Sequence, residues 1–114
     1  DYNHDLITYG NVHWATSNSS GTWTYNLRGS ATVALNDMMS DGETLSFQLI
    51  SAQNSTSNYM TAFKIDGSSS HLVWWQGGSA PSAGGASGYD VYTFTVFKIG
   101  NASFRTFASL SNHA

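Results

Sequence analysis

Residues 90–99, Asp90-Val91-Tyr92-Thr93-Phe94-Thr95-Val96-Phe97-Lys98-Ile99, decide the fold. In an extended chain successive side chains point to opposite faces, which puts Tyr92, Phe94 and Val96 on one side and Val91, Thr93, Thr95, Phe97 and Ile99 on the other. β-branched and aromatic residues dominate, so the stretch is a strand. Apolar bulk on both faces makes it a central strand, covered on one side by the core and on the other by a neighbouring chain or loop.

Working outward, Gly100-Asn101 is a compact turn, and residues 102–110 return as a hairpin with Phe104, Thr106, Ala108 and Leu110 inward. Upstream lies a run of small residues, 76–88, holding the single proline, Pro81. This run reads as a long crossover within one sheet system, because the roughly 25 residues beyond it are too few to fold alone. Residues 71–75 then place His71, Val73 and Trp75 on one face, with Leu72 and Trp74 on the other. The alternation continues in residues 59–65 (Tyr59, Thr61, Phe63 and Ile65 on one side), 43–52 (Leu45, Phe47, Leu49) and 22–28 (Trp23, Tyr25, Leu27).

Residues 31–35 extend that pattern, and 36–42 form a turn or a single helical turn closed by Gly42. Asp66-Gly67 carries a two-residue hairpin signal. About seven or eight short strands joined by turns predict an all-β domain, an antiparallel β-sandwich or jelly-roll-like fold. It spans residues 11–114 as one unit, with the polar segment 1–10 as an extension or tether. The first residue is Asp1 rather than Met, as expected of a processed product or a fragment.

Of the 114 residues only 10% are charged, while 14% are aromatic: four Trp, six Tyr and six Phe. The aromatics supply a core, and solubility rests on neutral polar groups. Net charge is −3, and the four basic residues, Arg28, Lys64, Lys98 and Arg105, are scattered. No basic stripe is available for phosphates, which argues against nucleic acid as a partner. No apolar run approaches a membrane span, and no basic and apolar leader opens the chain. Cysteine is absent, so neither disulfides nor thiolate metal sites contribute.

Reactive constellations are sparse. Glu43 is the single glutamate, and the near pairs Asp37 with Asp41 and Asp41 with Glu43 read as turn caps. There is no Gly-x-Ser-x-Gly elbow. His4, His13, His71 and His113 lack metal-ligand spacing, although a three-fold axis would bring copies of one histidine together. The expectation is therefore no enzyme, no metal and no cofactor. Among the tryptophans, Trp23 and Trp75 belong to the core by alternation. Trp74 and Trp14, the latter beside His13, together with Tyr89, are the candidate contact residues for a receptor or another subunit.

Three segments also carry a resemblance. Trp75-x-Gly77-Gly78-x-Ala80-Pro81-Ser82 is followed by the spacer and Asp90-Val91-Tyr92-Thr93-Phe94-Thr95-Val96-x-Lys98-x-Gly100, then by Ala102-Ser103-Phe104-Arg105-x-Phe107-Ala108. Together they resemble a β-rich domain family of bacteriophage virion proteins, found in tail fibres and appendages of marine and cyanobacterial phages. With residues 21–29 and 42–47, the resemblance extends over residues 11–114.

It implies a virion structural protein module of a tail fibre, knob or capsid decoration, acting in assembly or host attachment by passive binding. The implied partners are copies of itself as a homotrimer, other virion proteins and a bacterial surface glycan. No catalytic residue and no cofactor come with it. Members of that family commonly have a basic residue where this chain has Trp74, a departure that marks Trp74 for contact. A rival expectation is a stand-alone carbohydrate-binding module in which Trp14, Trp74 or Tyr89 stacks on sugar rings.

Overall fold

The chain crosses between two layers five times before its last two strands form a hairpin. The computed structural model describes residues 2–15 and 20–114. Its elements are β1 (Tyr2–Asp5), α1 (Leu6–Tyr9), β2 (Val12–Ala15), β3 (Trp23–Arg28), α2 (Leu35–Met38), β4 (Thr44–Ala52), β5 (Met60–Ile65), β6 (Leu72–Trp75), β7 (Tyr89–Gly100) and β8 (Ser103–His113), with a 3₁₀ turn at Gln76–Gly78 after β6. One sheet has the order β1-β3-β5 and the other β2-β4-β7-β8-β6. The all-β, two-sheet sandwich expected from the sequence is present.

Strand direction follows from that alternation. Each strand from β1 to β5 is followed by one in the opposite sheet, so a chain returning to a given layer enters it from the same end. The smaller sheet is accordingly parallel throughout. In the larger sheet β2 pairs parallel with β4, and β6 parallel with β8. Only β7 opposes its neighbours, pairing antiparallel with β4 and β8. Period-two spacing reports which residues face inward but not which strand lies alongside, and this is why the sequence pointed to antiparallel pairing throughout.

The buried faces match the alternation closely. Trp23, Tyr25 and Leu27 from β3 and Phe63 and Ile65 from β5 meet Phe47, Leu49, Tyr92, Phe94, Val96, Phe104 and Ala108 of the larger sheet. Phe94 is the hub: its ring stacks on Phe63 at 4.6 Å and on Phe47 at 4.9 Å between centroids. Burying rings of this size is the main stabilising contribution. Two polar groups are placed within this interior by specific partners. The Tyr92 hydroxyl oxygen accepts from the Met60 amide at 3.0 Å, and burial pushes its ionisation up to about 12. The Lys98 ammonium donates to the carbonyls of Asn36 and Met39, at 2.8 and 2.7 Å, around the end of α2.

Four expectations give way. Residues 2–10 are part of the fold and not a tether, since β1 pairs with β3 and buries His4 completely. Residues 31–34 form no strand; the chain there turns into α2. Asp66-Gly67 closes no hairpin between two strands of one sheet, because β5 and β6 lie in different sheets. Asp66 adopts φ 50° and Gly67 φ 82° at this corner, and the Asp66 carboxylate accepts from the amides of Leu35 and Asn36 at 2.7 and 3.0 Å, capping α2. In β5 a register irregularity opposite Trp23 and Thr24 shifts the face, so Met60 is buried while Thr61 is exposed.

Candidate functional site

The two outer faces of the sandwich differ in kind. On the smaller sheet the outward side carries Asn3, Asp5, Asn26, Arg28 and Lys64. Arg28 Nε donates to Asp5 Oδ1 at 2.6 Å, a bond that raises the guanidinium's already high pKa, and Asn26 donates to Asn3 at 3.1 Å. Asn26 is buried beneath its neighbours, and the rest is a half-exposed polar surface. On the larger sheet the outward residues are aromatic, aliphatic or neutral polar, and among the described residues Arg105 is its single charge.

Strand register sorts that outer face into rows. Trp14, Ile50 and Val91 form one apolar corner across β2, β4 and β7. A polar band follows, with Gln48, Thr93 and Ser109 in one row and Ser46 beside Thr95 in the next. The second row ends in Phe107 and Trp74, which are paired across β8 and β6. Beyond them Phe97, Arg105 and Leu72 continue the second apolar corner.

At this corner Phe107 is 53% exposed and Trp74 45%. Their ring centroids are 5.8 Å apart with planes inclined by 34°, and Phe97 lies 5.4 Å from Phe107 at 35°. The Arg105 guanidinium sits 5.9 Å from the Trp74 ring centre, a cation–π distance, and has no carboxylate partner among the described residues. A shallow groove of about 310 Å³ runs beside the rings, with Gln76, Thr93, Thr95 and Ser109 on its walls. A second depression, of about 510 Å³, lies on the other side of Phe107 against Phe97 and Ile99. An open apolar patch on a small protein marks a place of contact.

Of the candidate contact residues, Trp74 stands in this corner. Trp14, 59% exposed, lies on the same outer face but on the opposite edge strand, with β4, β7 and β8 between them. Tyr89 is also exposed, at the end of β7 opposite Ala52. His13 points inward, next to Trp14 in sequence but on the other face of β2. The structure therefore brings no two of the four into one site. Phe97, Arg105 and Phe107 complete the corner around Trp74. Their outward parity follows from the hairpin, but their meeting with Trp74 depends on the parallel β6–β8 pairing, for which the sequence carries no local signal.

His13 belongs instead to a buried polar chain between the sheets. His4 Nε2 lies 2.6 Å from the Gly10 carbonyl, which only accepts, so Nε2 carries the proton. In the neutral ring Nδ1 then accepts from the Tyr25 hydroxyl at 2.7 Å. The Tyr25 oxygen in turn accepts from His13 Nδ1 at 3.1 Å, and Tyr9 stacks on His13 at 4.0 Å. Burial lowers the pKa of His4 against the smaller effects of its Gly10 bond and Asp5. Burial also lowers that of His13, with neighbouring His4 adding to the shift. Tyr25 is held far from ionisation, again chiefly by burial. Every ring nitrogen and hydroxyl of this chain that has a partner is engaged in joining β1, β2, β3 and the α1 loop, which is structural work.

Carboxylates are likewise spent on turns. Glu43 accepts from the Ser40 amide at 2.6 Å, and buried Asp90 accepts from the Gly85 amide and from Asn112 Nδ2, the latter at 2.9 Å. Among the described residues no group of three or more His, Asp or Glu side chains is placed to hold a metal ion. Among the described residues no helix is long and apolar enough to cross a membrane. No family model, curated relative or solved structure matches the chain.

Proposed function

We propose that this domain is a structural module of a phage virion, part of a tail fibre, knob or capsid decoration, and that it serves assembly or host attachment by passive binding. The observation that carries this reading is the contrast between the two outer faces. One is charged and internally paired, while the other presents Trp14, Trp74, Phe97 and Phe107 on a broad strand platform.

The resemblance of residues 75–108 to virion domains supports the same reading. Rigid strands fix the platform's side chains, so binding needs little ordering of the contact surface. No bond is made or broken. Partners are copies of the same chain, most simply three around an axis, other virion proteins, and the bacterial envelope.

Immunogold labelling of the source particles with an antibody against this domain tests the assignment. Label on the tail fibres or capsid surface is the expected result, and particles that carry none would refute it. Native mass measurement of the purified chain tests the copy number separately, with a trimer expected.

A further inference from the structure

Resting on that attachment reading, we infer that the Trp74–Phe107 corner binds an acidic glycan. Three features of the corner select this class of partner. First, two exposed rings, inclined by 34° and 5.8 Å apart, form a shallow cradle matched to the apolar face of a pyranose. Second, the groove beside them is walled by side chains that both donate and accept, Thr93, Ser109 and Gln76, the complement of a sugar's hydroxyls. Third, the single charge on the face is positive, in a chain whose net charge is −3.

The Arg105 guanidinium is held over Trp74 and lacks a carboxylate partner among the described residues. Arg105 and Phe107 are two residues apart on one strand, roughly 7 Å. A uronic-acid residue stacked on the rings thus places its carboxylate within reach of the planar fork that recognises such groups.

A flat protein surface fits the corner less well. Covering it with a second copy would bury the hydroxyls of Thr93 and Ser109 against another strand face, whereas Ser46 and Thr95 already pair with each other at 3.3 Å. Each hydroxyl left without a partner opposes association. A glycan replaces the water on those groups with hydroxyls of its own.

The test is titration of the whole chain, followed by NMR, with hexagalacturonate and with neutral cellohexaose. Hexagalacturonate is expected to shift the Trp74 indole and Phe107 signals, and to bind at least tenfold more tightly than cellohexaose. Trp74→Ala should weaken it at least tenfold with only a small change in the unfolding midpoint. Arg105→Gln should weaken hexagalacturonate binding more than cellohexaose binding, so that the preference for the acidic chain is lost.

Absence of any shift with either oligosaccharide at millimolar concentration would overturn the inference, as would shifts confined to the smaller sheet. A Trp74→Ala variant that loses subunits in native mass measurement would identify the corner as a contact between copies and overturn it too. Unlabelled particles alongside intact glycan binding would refute the virion reading and leave this site standing.

Discussion

His4 Nδ1 lies 2.7 Å from the Tyr25 hydroxyl, in the closed space between the two sheets, and the far side of the same ring donates to the Gly10 carbonyl. The pair accommodates only a neutral imidazole without rearrangement. A proton on Nδ1 would face the hydroxyl hydrogen, and Tyr25 would have to turn away from its acceptor.

Stability should therefore depend on pH. His4 and His13 both have folded pKa values below the unfolded value of 6.5. The unfolded chain then binds more protons at mildly acid pH, so the stability from neutral histidines is complete above about 6.5 and declines as pH falls toward the folded values. Urea midpoints measured from pH 7.5 to 5 should decrease. His4→Gln should be less stable at pH 7.5 and show a flatter profile; a wild-type midpoint that stays level or rises toward pH 5 would contradict this.

Trp75 and Trp74 are neighbours with opposite roles. Trp75 packs against the core, edge-on to Phe94 at 6.3 Å, while Trp74 faces outward. Trp75→Ala should cost about 3 kcal/mol by loss of core packing, and Trp74→Ala less than about 1 kcal/mol. Equal unfolding midpoints for the two variants would contradict the assignment of faces.

Asp66 caps α2 from a positive-φ corner. Asp66→Ala removes the cap and places Ala in a left-handed conformation, for an expected loss of about 2 kcal/mol. Asp66→Asn keeps an acceptor and tolerates the corner, so roughly half that loss is expected. Thermal melts of the two variants decide the order.

The crossover 79–88 is ordered by Asp90 and Asn112. A Cβ added at Gly85 would overlap the Asn112 amide and crowd the Asp90 carboxylate. Gly85→Ala should therefore destabilise by about 1 to 3 kcal/mol and speed proteolytic cleavage within the crossover, whereas Ala86→Gly should leave the cleavage rate nearly unchanged.

Much of this architecture is legible in residue alternation. Phe94, Tyr92 and Val96 declare their burial, and Gly100-Asn101 marks the hairpin to within one residue, since Gly100 stays in β7 and the turn falls at Asn101-Ala102 with Ala102 at φ 51°. The parallel smaller sheet is not legible: nothing in Trp23–Arg28 records that its neighbours are β1 and β5. The same limit applies to the contact surface. Trp74 and Trp14 were marked as exposed and are, but their separation to opposite edges, and the gathering of Phe97, Arg105 and Phe107 around Trp74, are products of strand order. His13 was placed beside Trp14 by sequence proximity, whereas adjacent residues of a strand face opposite ways.

Hydroxyl-radical footprinting of the domain, free and in particles attached to host envelope fragments, tests most directly whether the outer face of the larger sheet is the working surface. Protection of Trp74 and Phe107 with unchanged reactivity at Tyr2 and Lys64 is the predicted result. Protection centred on the smaller sheet, with Trp74 and Phe107 as reactive as in the free domain, would contradict it.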